Sequence, residues 1–336
     1  MKKAVSPMVQ QEFENINPGL RHFSKFVCFS TLFLIFAGAM VKSTGSGLAV
    51  PDWPLSYGMF FPPMVGGVFY EHGHRMVASL VGFLTLVLTF WLWRVEQRRW
   101  VKVLGFCGLG AVILQGLLGG ITVLYFLPTP ISVMHGVLAQ IFFIITIIIA
   151  YSQSNEYQRR QRNEDHASGN KNFLKFIFIW IVFIFIQLIL GAVMRHTESG
   201  LAIPDFPKMG GQWIPTFNDA MIAVINDWRF ENNFDPIVRV QVVYHFLHRL
   251  GAGAITLLFC LLNFLWMTKF RRNKLICPTM LWINFLFILQ IFLGIMTVLT
   301  QKSPHMTSYH VVNGAALLGV SVLLLLRIAP VFCKEN

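Results

Sequence analysis

The chain of 336 residues is 55% hydrophobic and only 12% charged, with a mean hydropathy of +0.60. These values exclude an ordinary soluble globular protein. The net charge of +12 would suit nucleic-acid binding only if the basic residues formed one patch, and in this chain they flank apolar segments.

Eight apolar runs are long enough to cross about 30 Å of hydrocarbon, which takes roughly 20 residues each. In chain order they cover residues 26–42, 74–93, 103–125, 131–151, 173–194, 243–267, 277–299 and 308–329. The sequence therefore predicts an all-α polytopic membrane protein with eight transmembrane helices. Because eight is even, both termini lie on the same side of the membrane.

The distribution of Lys and Arg predicts which side that is. If the N-terminus is cytoplasmic, 19 of the 27 basic residues fall in cytoplasmic segments, as the positive-inside rule requires. We therefore expect cytoplasmic termini and no nucleic-acid partner. The N-terminus resembles neither a cleaved signal nor an organelle presequence, which favours a bacterial plasma membrane.

The cysteines lie in or at the ends of predicted spans, with no CxxC pair and none in the external loops. They are Cys28, Cys107, Cys260, Cys277 and Cys333. We interpret them as small apolar residues and assign them neither a disulfide nor a metal.

The chain contains a tandem repeat, visible in three pairs of segments. These are KSTGSGLAVPDWP (42–54) with RHTESGLAIPDFP (195–207), HRMVAS (74–79) with HRLGAG (248–253), and LQGLLGGITVL (114–124) with LQIFLGIMTVL (289–299). Each half has four spans, so both insert in the same orientation. We expect two tandem four-helix bundles related by a pseudo-twofold axis along the membrane normal.

The repeat sets the expected boundaries. They are a cytoplasmic segment 1–25, an N-terminal half 26–151, a linker 152–172, a C-terminal half 173–329 and a cytoplasmic tail 330–336. The second half has a longer external loop, 208–242, where TFNDAMIAVINDW carries apolar residues at helical spacing. This pattern predicts a short amphipathic helix on the outer face, although a plain surface linker is equally compatible.

Eight of the ten histidines lie near the external ends of spans, and four of these match across the repeat. His74 pairs with His248, and His135 pairs with His310. Each half thus offers one imidazole on its second span and one on its fourth, which suits ligation of a haem iron from both faces. A mononuclear metal site and interhelical hydrogen bonding remain as alternatives.

Four external histidines have no histidine partner in the other half, and a structural role is favoured for each. They are His72, His196, His245 and His305.

A porphyrin also carries two propionates, which require cations near the membrane surface. Four external basic residues form repeat pairs, Lys42 with Arg195 and Arg75 with Arg249. We interpret them as propionate partners, with snorkelling interface anchors as the alternative. The repeated SGLA(V/I)PD(W/F)P segments predict ordered re-entrant loops, with Asp52 and Asp205 holding the turns.

The repeat breaks at one informative position. His245 aligns with Glu71, so the first half reads Glu-x-x-His-Arg where the second reads His-x-x-His-Arg. Glu71 and His74 share a helix face, which places a carboxylate suited to proton transfer beside the first site only. The first site is therefore a candidate for chemistry and the second for electron storage. Alternatively, Glu71 caps the helix or pairs with Arg75.

These motifs, in this order and spacing over roughly residues 24 to 330, resemble the haem A synthase family. The resemblance implies oxidation of the C8 methyl group of haem O to the formyl group of haem A, for cytochrome oxidase assembly. It implies a permanent haem b on His248 and His310, the substrate haem O on His74 and His135, and Glu71 as the catalytic carboxylate.

The resemblance also implies partners and a branch. We expect a haem O synthase, cytochrome oxidase assembly factors and an electron acceptor of undetermined identity, with the haem sites toward the periplasmic face. Lacking a loop cysteine pair, the chain resembles the branch found in proteobacteria and mitochondria. The alternative function is a di-haem b-type, quinol-linked electron carrier.

Overall fold

The computed structural model describes residues 17–161 and 171–329, and this part of the chain is built from helices. Eight helices are long and apolar enough to cross a membrane, so the predicted number of spans is confirmed. They are α1 (Pro18–Ser43), α2 (Gly67–Val95), α3 (Arg99–Leu124), α4 (Thr129–Ser152), α6 (Lys171–His196), α8 (Arg239–Leu265), α9 (Ile276–Leu299) and α10 (Pro304–Ile328). Two shorter helices are α5 (Asn155–Gln161) and α7 (Asp219–Glu231).

The helices begin before the apolar runs that predicted them. The first begins at Pro18 instead of residue 26, and α2 begins at Gly67 instead of residue 74. Asn17 caps α1 by accepting the N–H of Gly19 at 2.8 Å. Hydropathy detects only the part of a helix that suits hydrocarbon, whereas the backbone stays helical into the polar interface.

Part of the predicted cytoplasmic side lies outside the described residues. This applies to residues 1–16 of the predicted N-terminal segment, residues 162–170 of the predicted linker and the predicted tail 330–336.

The first and fourth helices of each half form the centre of the molecule. Helix α10 packs against α1, α4 and α6 as well as its neighbour α9, while α1 also packs against α4. Helices α2, α3, α8 and α9 lie outside this group, with α2 against α1 and α8 against α6. The two halves therefore meet along their inner helices, and the histidine-bearing α2 and α8 lie toward the periphery. The pseudo-twofold axis itself stays a prediction.

The interface between the halves depends on close helix approach. The largest core cluster joins α4, α6, α8, α9 and α10. Inside the C-terminal half, the indole N–H of the fully buried Trp180 on α6 donates to Ser321 on α10 at 2.9 Å. This bond satisfies a polar N–H in an apolar setting. Gly319 lets α10 lie against Ile147 and Phe143 of α4, because a Cβ atom there would be 2.8 Å and 2.9 Å from their side chains.

The two repeated external loops have matching hydrogen bonds. Asp52 accepts from the backbone N–H groups of Tyr57 and Gly58 at 2.6 and 2.8 Å, and Asp205 accepts from Gly210 and Gly211 at 2.7 and 2.8 Å. The bond from Gly58 is the main cause that lowers the pKa of Asp52. The predicted turn-holding role of both aspartates is confirmed.

The predicted amphipathic helix of the second loop exists as α7. Its Met221 and Ile225 are buried against Ile203 of the second loop and Val242 of α8, while Arg229 donates to the carbonyl of Leu201 at 3.2 Å. Helix α7 therefore packs over the end of the C-terminal half at which α8 begins, so this segment is not a plain linker.

The close contact at Gly319 yields a stability prediction. We expect Gly319→Leu to lower the free energy of unfolding by about 1–3 kcal/mol, because the added side chain overpacks the interface between the halves. The measurement is thermal unfolding of the detergent-purified protein. Gly82→Leu is the matched control, since no atom lies within 4 Å of a Cβ placed on Gly82. Equal stabilities of the two variants would contradict the role given to Gly319.

Candidate functional sites

The four repeat-matched histidines lie on four different spanning helices, one pair in each half. His248 on α8 and His310 on α10 face each other with ring centroids 6.4 Å apart and an interplanar angle of 73°. His74 on α2 and His135 on α4 each lie against a glycine of a neighbouring helix. The structure thus brings the predicted C-terminal pair together and places the two N-terminal histidines at the matching positions of the repeat.

Each of these histidine rings lies against a glycine on a neighbouring helix. The glycines are on α1 and α3 in the first half and on α6 and α9 in the second, and they match across the repeat. The distances from an added Cβ to the ring Cε1 atom are 3.0 Å for Gly38 to His74, 3.5 Å for Gly119 to His135, 3.2 Å for Gly191 to His248 and 3.0 Å for Gly294 to His310. Three of the four are tighter than an ordinary van der Waals contact, so a side chain at those glycines would push the ring.

Glutamines support two of the rings from their backbone side. Gln115 donates to the carbonyl of His135 at 3.0 Å. Gln187 donates to the carbonyl of His248 at 2.8 Å and lies 3.2 Å from its Nδ1. These amides hold the helix turns from which the two histidines project.

The geometry of the C-terminal pair fits one metal ion between two imidazoles. Metal–nitrogen bonds of about 2 Å separate two ring centroids by roughly the 6.4 Å observed for His248 and His310. The Nδ1 atoms of His74, His135 and His310 are buried with no hydrogen-bond partner, which is uncommon for buried polar atoms. A buried ring nitrogen without a protein partner is available to a bound group such as a haem iron, while the Nε2 of His310 lies 3.5 Å from the amide of Gln290.

A metal ion held by three or four protein ligands is not supported. Within residues 17–161 and 171–329 no group of three or more His, Cys, Asp or Glu side chains is arranged to hold a metal. The pairs therefore suit a metal that brings its own equatorial ligands, as a porphyrin does.

Glu71 is buried, with 4% of its surface exposed, and both of its oxygens are engaged. The N–H of Val50 donates to Oε2 at 2.8 Å, and Arg75 donates to Oε1 at 2.6 Å. The pairing with Arg75 that the sequence offered as an alternative is therefore present. The catalytic role of Glu71 stays a prediction.

His245 makes the same contacts in the second half. Its Nδ1 lies 3.1 Å from the backbone nitrogen of Ile203, and its Nε2 lies 3.1 Å from Nε of Arg249. A neutral imidazole has one acceptor nitrogen, so it accepts one of these two bonds at a time. Ile203 and Arg249 are the repeat counterparts of Val50 and Arg75. The exchange of Glu for His thus preserves the scaffold and changes only the chemical group.

Arg75 and Arg249 fix the external loops to the helices. Arg75 donates to the carbonyls of Asp52 and Leu55 at 2.8 and 2.9 Å. Arg249 donates to the carbonyls of Asp205 at 2.8 Å and of Lys208 and Ile203 at 3.0 Å. Both guanidinium groups therefore have a structural task, and their propionate role stays a prediction.

Lys42 and Arg195 reach across the boundary between the halves. Lys42 forms an ion pair with Glu198, which also pairs with Lys302 at 3.2 Å. Arg195 donates to the carbonyl of Ala39 at 2.5 Å. Burial alone would raise the pKa of Glu198, but the bond and charge of Lys42 and the charge of Lys302 outweigh it and lower that pKa. The propionate role of Lys42 and Arg195 likewise stays a prediction.

The remaining external histidines lie in three different settings. His72 is buried with its Nδ1 2.8 Å from the hydroxyl of Ser56, and His305 packs beside Tyr309. The backbone carbonyl of His196 accepts from Thr129 of α4 at 3.2 Å. Sequence reasoning missed the Ser56–His72 bond and the glycines opposite the histidines. The glycines could have been found in the sequence, because they match across the repeat.

Eight spanning helices with a repeat-matched histidine pair in each half, of which the C-terminal two face each other, define a class of helical membrane protein whose sites suit haem. The chain belongs to the COX15–CtaA family, described as cytochrome oxidase assembly protein, whose sequence profile matches residues 64–322.

Curated relatives agree with this assignment. A protein named "Heme A synthase" from Alkalihalophilus pseudofirmus is 27% identical over 292 residues, covering 84% of this chain and 89% of the relative. Another of that name, from Geobacillus kaustophilus, is 26% identical over 331 residues, covering 94% and 95%. A third, from Lysinibacillus sphaericus, is 31% identical over 194 residues, covering 57% and 62%. The similarity therefore extends over both halves.

The loop contacts of Arg249 yield a prediction that is independent of any bound group. We expect Arg249→Gln to increase amide hydrogen exchange over residues 203–208 by roughly tenfold, because loop carbonyls lose their buried donor. The measurement is hydrogen–deuterium exchange with mass spectrometry.

Arg94→Gln serves as the control, since Arg94 lies over the rings of Phe90 and Trp93 at the opposite end of α2. Unchanged exchange over 203–208 in the Arg249 variant would show that the guanidinium does not hold the loop.

Proposed function

We propose that the protein is a haem A synthase that oxidises the C8 methyl group of haem O to the formyl group of haem A. The observation that carries the proposal is the repeat-matched histidine pair of each half, with His248 and His310 facing each other, accompanied by a buried carboxylate, Glu71, in the first half only. The family assignment and the relatives named "Heme A synthase" support it.

His248 and His310 are the residues proposed to hold a permanent haem b. When bound, this group supplies one-electron redox chemistry. The protein's contribution is to fix both imidazoles, with Gly191 and Gly294 seating the rings and Gln187 holding the turn of His248.

Helix α7 supports the placement of the permanent haem in the C-terminal half. It packs on the second loop and on the start of α8, and its C-cap Asn232 accepts from Gln301 of the α9–α10 loop at 3.3 Å. A covered external end favours retention of a bound group, because release requires the cover to move.

His74 and His135 are proposed to bind the substrate haem O. The loop between α1 and α2 is the shorter of the two and has no counterpart of α7. An uncovered external end suits a site whose occupant must enter and leave. The substrate site is therefore assigned to the N-terminal half.

Glu71 is the proposed proton acceptor. Converting a methyl to a formyl group is a four-electron oxidation that adds one oxygen atom and releases protons; the electrons pass to the electron acceptor, and a nearby base takes up a proton. The bonds from Val50 and Arg75 hold the carboxylate in one orientation at the same end of α2 as His74. Such positioning reduces the entropy lost in reaching the reactive geometry.

The cationic side chains are proposed to contact the haem propionates near the membrane surface. Lys42 and Arg195 lie where the halves meet, and Arg75 and Arg249 lie at the two loops. A guanidinium group has several N–H donors, so one arginine can donate to a loop carbonyl and to a propionate at the same time.

The protein is proposed to reside in a bacterial plasma membrane with cytoplasmic termini and periplasmic haem sites. The expected partners are a haem O synthase, cytochrome oxidase assembly factors and an electron acceptor. A di-haem electron carrier is not favoured, since a carrier has no need of a carboxylate at one site only.

Extraction of the haems from the purified protein tests the function. We expect haem B together with haem O or haem A, because one site is permanent and the other holds substrate or product. His248→Ala and His310→Ala should lose the stable b-type absorption spectrum, since each removes an axial ligand. Two equivalents of haem B alone would instead identify an electron carrier.

Placing His at position 71 and Glu at position 245 separates the chemical role of Glu71 from its structural role. We expect Glu71→His to fold and keep haem b, because His245 shows that the scaffold accommodates an imidazole between the same loop N–H and the same arginine. Loss of the carboxylate should reduce haem A formation by at least about 100-fold. The measurement is the ratio of haem O to haem A in cells expressing the variant.

His245→Glu is the reciprocal control and should retain haem A formation. If Glu71→His makes haem A at the normal rate, Glu71 serves only as a scaffold.

A further inference from the structure

A second polar pair belongs to the N-terminal half alone. Ser56 and His72 share a hydrogen bond of 2.8 Å between Oγ and Nδ1, with 1% and 7% of their surfaces exposed. The proposed mechanism uses neither residue.

The repeat shows what the fold places at these positions when no polar pair is present. The counterparts of Ser56 and His72 are Met209 and Phe246. Both pack against the buried cluster beneath α7, where Phe246 contacts Phe217 edge to face at 5.3 Å. The scaffold therefore accepts two apolar side chains here, and the polar pair is not a requirement of the fold.

The pair is also incompletely satisfied. The Nε2 atom of His72 is buried without any hydrogen-bond partner, although burying an unpaired polar atom costs free energy. Arg75 points one guanidinium nitrogen toward Ser56 at 3.4 Å, so the pair adjoins the Glu71–Arg75 cluster. The residue that carries the unused nitrogen thus belongs to a pair that adjoins the cluster containing the proposed catalytic carboxylate.

We propose that Ser56 and His72 form a substrate-binding pair, in which Nε2 of His72 hydrogen-bonds an oxygen-bearing substituent at the rim of the substrate porphyrin. The bond with Ser56 fixes the ring so that its far nitrogen points away from the loop. The inference rests on the proposed function, because it concerns only the half that receives haem O. A permanent haem in the other half meets Met209 and Phe246 instead.

Two variants of His72 separate binding from structure. His72→Asn keeps a polar group at the position of Nδ1 for Ser56 and lacks one at Nε2, whereas His72→Gln places its amide near Nε2. The detergent-purified, haem-b-loaded protein is titrated with haem O. We expect His72→Asn to weaken binding about tenfold and His72→Gln to stay within about threefold of wild type. Both variants should keep the b-type spectrum and the thermal stability.

The double variant Ser56→Met with His72→Phe reproduces the C-terminal pair. It should fold with unchanged or higher stability and bind haem O at least as weakly as His72→Asn. A parallel titration with haem B identifies the substituent, because both haems carry propionates and only haem O carries a side-chain hydroxyl. Weakening for both haems indicates a propionate, and weakening for haem O alone indicates the hydroxyl.

The inference is overturned if His72→Asn binds haem O like the wild type. It is equally overturned if the Asn and Gln variants lose binding together with stability, since the pair is then structural. A wild-type protein that binds haem O and never forms haem A contradicts the proposed function alone.

Discussion

Four imidazole rings lie near the ends of apolar helices. Burying a polar ring in a membrane interior costs free energy unless the ring has a hydrogen-bond partner or binds a ligand. A glycine gives each ring its space, and the Nδ1 atoms of His74, His135 and His310 keep no protein partner. Each of the four rings, on α2, α4, α8 and α10, lies against a glycine of a neighbouring helix. The helices therefore approach closely, and the space between them holds each ring in one position. The inner helices α1, α4, α6 and α10 supply the rigid body against which these positions are fixed.

The external loops depend on the same helices. Arg75 and Arg249 project from the helix turns that carry His74 and His248, and they hold the loops by their carbonyls. Glu71 accepts one loop N–H and one arginine bond, and His245 lies between the corresponding loop N–H and arginine in the second half. One scaffold therefore tolerates an acid or an imidazole at the same position, which lets two sites of common origin differ in chemistry at little structural cost.

The two halves differ most at their external ends. In the C-terminal half, α7 and an apolar cluster close the end over Met209 and Phe246. In the N-terminal half the cover is missing, and the equivalent positions hold Ser56 and His72. A longer apolar cover favours retention, and a shorter loop over a polar pair favours exchange and recognition, so the asymmetry is consistent with the proposed permanent and transient occupants.

The sequence by itself determined the eight spans, the tandem repeat and the four matched histidines, because apolar run length and residue offsets are local properties of the chain. The predicted starts of the helices lay after the observed ones, because hydropathy does not detect a helix turn that lies in the polar interface. The contacts of Glu71 with Val50 and Arg75, the bond between Ser56 and His72 and the cover formed by α7 were decided by the tertiary structure alone. Each joins a loop to a helix, and the distance between residues far apart in sequence depends on how the helices pack.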